Sequence, residues 1–163
     1  MQELHDNIWN YIDIAQHLCI TTNLCWNQNN RAIMGAGIAK QALARYPDCN
    51  KVLGQALKTG ISRPIPIAQD NKTTIWSFPT KNRFVTSVSQ LLPQYKSVAL
   101  PAPGWMGYSD LMLITSSANH IKHSTTGLVV LPRPGCGKGG LDWQIVREKL
   151  STILDEDRFL IVS

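Results

Sequence analysis

The chain has 163 residues, of which 44% are hydrophobic and 17% are charged. This length and composition are typical of one globular domain, residues 1–163, and they exclude a disordered chain. No apolar run approaches the roughly 20 residues that cross a bilayer, and the opening residues, MQELHDNIWN, have no basic region of the kind that begins a signal peptide. We therefore expect a cytoplasmic protein with no membrane partner.

The spacing of the cysteines and the net charge narrow the classes of ligand that the protein is expected to bind. Cys19, Cys25, Cys49 and Cys136 are widely spaced and form no CxxC pair, so we expect no metal site and no cofactor. The net charge is +5, and residues 71–141 contain only one acid. That excess suits an anionic ligand, although an exposed basic face has the same composition. The basic residues are also not clustered with aromatic residues, as they are in a dedicated nucleic-acid groove.

The first part of the chain alternates between strand and helix patterns. Residues 17–23, HLCITTN, are β-branched and apolar and predict a buried strand. A polar loop leads to a helix over 37–46, which Pro47 stops. A second helix is expected between Asp48, as its N-cap, and Gly60, as its end. This helix carries the apolar residues Val52, Leu53, Ala56 and Leu57.

Two further strands are expected at 63–69 and 73–79. The residues between them, Asp70-Asn71-Lys72, have the composition of a turn, so the pair predicts a hairpin. Residues 80–108 are less regular, and a short helix over SVSQLLPQY is interrupted by Pro93. Ser109 is then expected to cap a helix that runs to about His123.

The last part of the chain repeats the strand and helix alternation. GLVVLPR, residues 127–133, predicts a short strand in the middle of a covered sheet. A glycine-rich loop follows, then a helix over 141–154 and a final strand over 158–163. Strands that alternate with helices predict the α/β class, here a three-layer α/β/α sandwich with a mixed central sheet.

Two glycine-rich loops are the most informative feature of the sequence. Met34-Gly35-Ala36-Gly37 and Gly135-Cys136-Gly137-Lys138-Gly139-Gly140 each follow a strand and lead into a helix. Unpaired N–H groups and the positive end of a helix meet at such a junction, and glycine lets an anion approach the backbone closely. One such loop is weak evidence, but two together predict a clamp for both phosphates of a diphosphate. Neither loop matches the motifs GxxxxGK[ST] or GxGxxG, which disfavours ATP hydrolysis and hydride transfer.

The motifs ITTN, MGAGIA and LPRPGCGKGGLDW, in this order, resemble those of the macro domain, the ADP-ribose-binding module. The match runs from about residue 5 to residue 162, with residues 84–108 as an insertion. The resemblance is strongest to the branch that contains the macro-domain antitoxins of DNA ADP-ribosylating toxin systems and the terminal ADP-ribose glycohydrolases. In that branch, a string similar to FPTK follows the hairpin.

The resemblance implies a set of ADP-ribose-binding residues. Asn7 takes the position of the acid that accepts a hydrogen bond from the adenine amino group, and Asp6 is the alternative if the register differs by one residue. The backbone N–H of Ile8 is expected to meet the adenine ring, and Asn23 the distal ribose. The diphosphate loops implied by the resemblance comprise Met34, Gly35, Ala36, Gly37 and Ile38 in the first, and Pro134, Gly135, Cys136, Gly137, Lys138, Gly139, Gly140 and Leu141 in the second.

The resemblance also implies that Lys81 is catalytic and acts with Asn23. A desolvated lysine that loses its proton is a nucleophile or base, whereas one that keeps its charge stabilises the departing group; both possibilities stay open. Some of the similar glycohydrolases carry an aspartate near the position of Gly139, and glycine here resembles the antitoxin-like members. Asp142 is close by, but its position predicts a helix cap rather than a catalytic acid.

Three functions follow from this interpretation. The first is a hydrolase that removes ADP-ribose from DNA or protein. The second is an ADP-ribose reader without catalytic activity, and the third is an enzyme that processes ADP-ribose 1″-phosphate. In each case the partner is ADP-ribose or an ADP-ribosylated macromolecule, and we expect the protein to be a monomer.

Overall fold

A mixed sheet forms the centre of the molecule in the computed structural model, which describes residues 1–163. Six strands hydrogen-bond in the order β1-β8-β7-β2-β4-β3, and every neighbouring pair is parallel except β3 and β4. A separate two-stranded sheet pairs β5 with β6. The strands are β1 (Gln2–Leu4), β2 (His17–Asn23), β3 (Pro66–Asp70), β4 (Thr73–Lys81), β5 (Phe84–Val85), β6 (Ala102–Pro103), β7 (Val129–Pro132) and β8 (Phe159–Val162).

Two pairs of helices cover the two faces of the large sheet. The helices are α1 (Gly37–Arg45), α2 (Cys49–Lys58), α3 (Leu111–Ser124) and α4 (Trp143–Ile153). Buried residues of α1 and α2 belong to one hydrophobic cluster, and those of α3 and α4 belong to another. The predicted α/β/α sandwich with a mixed central sheet is therefore confirmed. No helix is both long enough and apolar enough to span a membrane.

Strand β2 shows how one apolar run supplies both clusters. Leu18 and Ile20 belong to the cluster under α1 and α2, whereas Cys19 between them belongs to the cluster under α3 and α4. Consecutive side chains of a strand point to opposite faces, so the part of a central strand that is covered on both sides is apolar at successive positions, here Leu18, Cys19 and Ile20. This is why HLCITTN lacks polar alternation.

The predicted hairpin is present, with β3 antiparallel to β4 and Asn71 in the left-handed region at φ +50°. Strand β4 is two residues longer than predicted and includes Lys81. Strand β1 was not predicted, because Gln2–Leu4 is an exposed edge strand without an apolar pattern. An edge strand is held by main-chain hydrogen bonds to one neighbour, which leave little trace in the sequence.

One of the two predicted helix caps is wrong, and the other is confirmed in position only. Asp110, not Ser109, caps α3, because its carboxylate accepts from the N–H groups of Met112 and Leu113. Asp48 stands at the N-cap position of α2, but its side chain makes no capping hydrogen bond. Of the apolar residues of α2, Leu53 and Leu57 are buried, whereas Val52 is 44% exposed.

Residues 84–108, which we call the 84–108 segment, form a small substructure beside the sheet. They contain β5, β6 and three short 3-10 turns, two of which stand in place of the predicted helix over SVSQLLPQY. Leu92 is extended before Pro93, as expected for a residue that precedes proline, and this divides the segment into separate turns. Val85, Leu91 and Ala102 form their own buried cluster.

A β-bulge lies where β2 and β4 end. Thr22 pairs with Pro79, but the next residue of β2, Asn23, pairs with Lys81. Thr80 is therefore the extra residue on β4. The bulge brings Asn23 and Lys81 side by side at the end of the two central strands.

Candidate functional site

The candidate site lies along one edge of the large sheet. Strands β1, β8, β7, β2 and β4 are mutually parallel, so their carboxyl ends share this edge. Ligands of open α/β sheets bind beyond the carboxyl ends of the strands. The segments that the sequence singles out follow these strands: Asn7 and Ile8 after β1, the second glycine loop after β7, the first after β2, and Lys81 at the end of β4.

The segment after β1 is shaped by two polar side chains. Asn7 caps a 3-10 turn, and its Oδ1 accepts from the Trp9 N–H at 3.0 Å. Ile8 is buried in the core, so its side chain fixes the turn while Asn7 stays exposed. The Asn7 oxygen is thus already hydrogen-bonded within the turn.

Asp6, the alternative acid, is held more tightly. Its Oδ1 accepts from the Asn7 N–H at 2.7 Å and from Asn10 Nδ2 at 2.9 Å, and its Oδ2 accepts from the Tyr11 hydroxyl at 3.1 Å. These bonds, that from the Asn7 N–H first, lower the pKa of the Asp6 carboxyl. Asp6 therefore remains ionised and is the carboxylate nearest in sequence to the expected adenine position.

The first glycine loop presents its backbone at the start of α1. Gly35, Ala36 and Gly37 are exposed, whereas Met34 is buried beneath them. Gly37 has φ +56°, a conformation that suits glycine. Ala36 is the N-cap and has no polar side chain, so the first N–H groups of α1 lack a side-chain cap. Such groups are available to an anion.

Asn23 holds the first loop in shape. Its Oδ1 accepts from the Cys25 N–H at 2.9 Å, and its Nδ2 donates to the Ile33 carbonyl at 3.0 Å. The asparagine thereby joins the two ends of the connection between β2 and the glycine loop. An amide nitrogen has two hydrogens, so the second hydrogen of Nδ2 is still free to meet a ligand.

The second glycine loop is a compact turn between β7 and α4. The Leu141 N–H donates to the Gly135 carbonyl at 2.9 Å, and the Gly140 N–H donates to the Gly137 carbonyl at 3.2 Å. Gly137 and Lys138 are exposed at its tip. Asp142 caps α4 by accepting from the Gln144 N–H at 2.8 Å, as its position predicted.

Cys136 in this loop is a poor nucleophile. Burial raises the pKa of its thiol to about 11, so the thiol stays protonated at neutral pH. Its Sγ donates to the Pro134 carbonyl, within the loop itself. The half-buried side chain packs against the α3 and α4 cluster, which is a structural role.

Gly139 is a contact point between the second loop and the start of α3. The Ser109 N–H donates to the Gly139 carbonyl at 2.9 Å. A side chain at Gly139 would overlap Ser109 Oγ and the Gly135 carbonyl. An aspartate at this position would therefore need a different arrangement of α3. The Ser109 hydroxyl itself is buried and has no hydrogen-bond partner.

Lys81 lies where β4, the second glycine loop and the 84–108 segment meet. Its Nζ donates to the Trp105 carbonyl at 3.0 Å and to the Lys138 carbonyl at 3.2 Å. The half-buried side chain is thus stretched between a carbonyl of the segment and a carbonyl of the loop. A charged amine has a third hydrogen, which these two bonds leave free.

The surroundings of Lys81 lower its pKa from the ordinary value of a lysine. Burial is the main cause that lowers the pKa of Lys81, and the charge of Lys138 lowers it further, while Cys25 opposes the shift. Cys25 is buried beneath the same strand end and contacts the Arg83 carbonyl. Burial raises the pKa of the Cys25 thiol as well, so it does not supply a counter-charge at neutral pH.

A cavity of about 270 Å³ opens between the 84–108 segment and the start of α3, and Asn82, which follows Lys81 in sequence, lines it. We call it the Phe84 cavity. The sequence interpretation missed it, because it joins residues of the irregular segment to the N-cap of α3, which no periodic pattern connects. Its principal lining residues are Asn82, Phe84, Gln90, Tyr108, Ser109 and Asp110.

Arg83, outside this cavity, is also a residue that the sequence did not single out. Its guanidinium lies 3.2 Å from the centroid of the Trp26 ring and 5.0 Å from that of Phe84. Arg83 thus forms a small cluster with the aromatic rings of Trp26 and Phe84. No group of three or more His, Cys, Asp or Glu side chains is close enough to hold a metal ion.

The sequence matches curated proteins over part of their length. Proteins of Mycobacterium tuberculosis and Mycobacterium bovis, both called DNA ADP-ribosyl glycohydrolase, are each 30% identical to the chain over 124 residues. The match covers 72% of this chain and 30% of each relative. The chain therefore corresponds to less than a third of those proteins. No protein-family model matches the sequence.

Solved structures match the fold over nearly the whole chain. The macrodomain of Mycobacterium tuberculosis DarG is similar with a TM-score of 0.69 at 22% identity, covering 99% of this chain and 95% of that one. The Thermus aquaticus DarG macrodomain has a TM-score of 0.66 at 20% identity, with the same coverage. Thermosipho africanus DarTG in complex with ADP-ribose has a TM-score of 0.63 at 23% identity, covering 91% of this chain and 38% of that one.

Proposed function

We propose that this chain, which belongs to the macro domain family, binds ADP-ribose and hydrolyses its bond to DNA or protein. The order of the segments along the sheet edge supports an extended ligand. The adenine would lie at Asn7 or Asp6, the diphosphate between the two glycine loops, and the distal ribose at Asn23 and Lys81. The names of the curated relatives support DNA as one substrate.

The position of Lys81 is the observation that carries the catalytic part of the proposal. A half-buried amine with a lowered pKa, hydrogen-bonded to the tip of the second glycine loop, stands at the expected end of the ligand. Perturbed lysines of this kind act as nucleophiles, bases or charge stabilisers. The overall reaction adds water across the glycosidic bond: the oxygen joins the anomeric carbon, and a proton goes to the released group.

A reader without catalytic activity is the second candidate, and one observation favours it. No free carboxylate stands beside Lys81 to move a proton, because Asp142 caps α4 and Asp110 is bonded to Asn82 and to the first turn of α3. The two candidates share the same binding site. They differ only in turnover.

The test is the release of free ADP-ribose from an ADP-ribosylated oligonucleotide and from an ADP-ribosylated peptide. The hydrolase predicts release that Lys81→Ala abolishes and that Lys72→Ala, an exposed lysine at the opposite edge of the sheet, leaves unchanged. The reader predicts calorimetric binding of ADP-ribose in both variants without release. Phosphate release from ADP-ribose 1″-phosphate would instead identify the third function.

A pH profile separates the two roles of Lys81. If the neutral amine acts, kcat rises with pH through the lowered pKa of Lys81 and is flat above it. If the charged amine acts, kcat is flat below that pKa and falls above it. Lys81→Arg is the matched variant, because arginine keeps its charge at every accessible pH. Activity in Lys81→Arg supports the charged role, and its loss supports the neutral amine.

A further inference from the structure

Gly54 lies within α2, away from both ends of the helix. Glycine weakens a helix relative to alanine, because it has more conformational freedom to lose on folding. A glycine just beyond a helix can end it through a positive φ, but in this region Gly60 has that conformation, at φ +96°. The presence of glycine in the middle of α2 therefore needs a reason from packing.

A neighbouring stretch of main chain occupies the space where a side chain of residue 54 would lie. A Cβ built on Gly54 would overlap the carbonyl oxygen of Asn30, and it would lie 2.7 Å from both the Ala32 nitrogen and Arg31 Cα. Real Cβ contacts are essentially never shorter than 3.0 Å. All three atoms belong to the backbone, so no side chain can rotate aside to make room. A side chain at this position must therefore displace the backbone of residues 30–32.

Two further residues of α2 contact the same stretch of chain. The Asn50 carbonyl, one helical turn before the glycine, accepts from the Ala32 N–H at 2.8 Å. The Asn50 Oδ1 accepts from Arg31 Nη1 at 3.4 Å. The Cys49 thiol contacts Met34 Sδ at 3.9 Å, and Met34 is the buried first residue of the first glycine loop. Helix α2 thus holds the chain that leads into this loop at several successive points.

Residues 24–33, which we call the 24–33 loop, are closed on themselves by hydrogen bonds. The Ile33 N–H donates to the Cys25 carbonyl at 3.0 Å, and the Asn27 N–H donates to the Arg31 carbonyl at 2.9 Å. The Asn27 Oδ1 also accepts from the Arg31 N–H at 3.2 Å. A displacement where the loop contacts α2 is therefore transmitted to its end, which continues directly into the first glycine loop.

We infer that Gly54 is a positioning residue for ADP-ribose binding, because its lack of a side chain lets α2 hold the 24–33 loop, and with it the first glycine loop, in place for the diphosphate. The inference rests on the proposed function, which assigns the first glycine loop to the diphosphate. Gly54 is buried, so it acts through the backbone of the 24–33 loop. Helix α2, which contains none of the sequence motifs, thereby contributes to ligand affinity.

The experiment measures the affinity of the whole chain for free ADP-ribose by calorimetry, at a temperature where circular dichroism shows each variant to be folded. Gly54→Ala introduces the overlapping methyl group. Gln55→Ala is the matched control, because Gln55 is the next residue of the same helix and is exposed. Ile121→Val is a control for stability alone, since Ile121 is buried in the cluster under α3 and α4, on the other face of the sheet.

We expect Gly54→Ala to weaken ADP-ribose binding about tenfold or more, because a displacement of about 1 Å in a site has effects of this size. Gln55→Ala and Ile121→Val should bind within about twofold of the wild-type protein, as for exchanges that remove no contact with the ligand or its loops. In ¹H–¹⁵N spectra of the free protein, Gly54→Ala should shift the amide signals of Gly35 and Gly37, whereas Gln55→Ala should leave them in place.

Turnover gives a readout that a loss of stability alone would not move. Lys81 Nζ is held by the Trp105 and Lys138 carbonyls, and neither residue belongs to the 24–33 loop. Gly54→Ala should therefore raise KM for an ADP-ribosylated substrate by about the same factor as the dissociation constant, and change kcat less. A smaller folded fraction would instead lower the apparent kcat and leave KM unchanged.

Wild-type affinity in folded Gly54→Ala overturns the inference, and so does an equal loss of affinity in Ile121→Val. If Gly54→Ala does not fold, Cys49→Ala decides, because it removes the contact with Met34 and keeps a good helix former. Weaker binding in Cys49→Ala than in Gln55→Ala then supports the inference, and equal binding overturns it. Failure of the wild-type protein to bind ADP-ribose overturns the proposed function itself, so the two failures are distinguishable.

Discussion

The two glycine loops have similar sequences at similar junctions, yet their glycines serve different purposes. In the first loop, a Cβ added to Gly35 or Gly37 meets no atom within 4 Å. In the second, a Cβ added to Gly135 or Gly139 meets Ser109, and at Gly139 it also overlaps the loop backbone. The first loop is therefore open to a ligand, and most of the second is packed against the start of α3.

Gly137 is the exception within the second loop. It is exposed, and a Cβ there meets nothing within 4 Å. The tip of the second loop thus resembles the first loop, whereas Gly135 and Gly139 on either side of the tip are buried. A glycine-rich motif therefore contains some positions that give a ligand access and others that pack against the core, and variants can distinguish the two kinds.

Gly137→Val is expected to have the largest effect on binding. The side chain has room in the free protein, but it would stand between the two loops, where the diphosphate is proposed to lie. We expect ADP-ribose affinity to fall at least about 100-fold, equivalent to about 2.7 kcal/mol, with the melting temperature unchanged. Calorimetry and thermal unfolding check this. Wild-type affinity in Gly137→Val would contradict the proposed clamp.

Gly139→Ala is expected to have the largest effect on stability. The added methyl overlaps Ser109 Oγ and the Gly135 carbonyl, and overpacking of this kind costs about 1–3 kcal/mol. Denaturant unfolding should show the loss as a lower midpoint with an unchanged slope. The double variant with Ser109→Ala should recover only part of it, because the Gly135 carbonyl remains. Full wild-type stability would mean that the second loop is as open as the first.

Gly37→Ala tests the first loop, where backbone conformation alone requires glycine. Its φ of +56° costs a residue with a side chain about 1–2 kcal/mol, although there is space for the methyl group. Gly35→Ala is the matched control, since Gly35 has the same open surroundings without the positive φ. Equal unfolding free energies for the two variants would argue against this distinction.

Ser109→Ala is expected to have the smallest effect. The hydroxyl is buried without a partner, so its removal should leave the stability unchanged or raise it by up to about 1 kcal/mol. Ser117→Ala is the control, because its buried hydroxyl donates to the Pro79 carbonyl at 3.0 Å and its loss should destabilise by about 1 kcal/mol. A destabilised Ser109→Ala would reveal a hydrogen bond that the geometry does not include.

The sequence predicts the sandwich and the position of both loops, because strand and helix patterns and glycine positions are local. It does not predict which glycines pack against the start of α3, because Ser109 and Gly139 are far apart in sequence and come into contact only in the folded protein. The prediction that Ser109 caps α3 is wrong for a related reason. Ser109 and Asp110 are both good caps by composition, and the second loop engages the backbone of Ser109, which leaves the cap to Asp110.

The remaining differences between the sequence predictions and the structure lie in segments that have no periodic hydrophobic pattern. Strand β1 is exposed and depends on its pairing with β8. The Phe84 cavity depends on the 84–108 segment, whose short turns follow from local sequence but whose position against α3 does not. Arg83 is adjacent to Phe84 in sequence, but its contact with Trp26 joins two different strand ends. Long-range contacts of this kind cannot be inferred from one sequence.

The β-bulge at Thr80 makes the site sensitive to the length of β4 in a way that substitutions do not reveal. Successive strand residues point to opposite faces, so loss of this single residue would turn the lysine towards the other helix layer while the phenylalanine, the proline and the lysine of FPTK remain. A comparison of macrodomain sequences that counts only the presence of this lysine would still score such a protein as intact. The spacing from the strand core to the lysine is therefore as informative a marker of the site as the lysine itself.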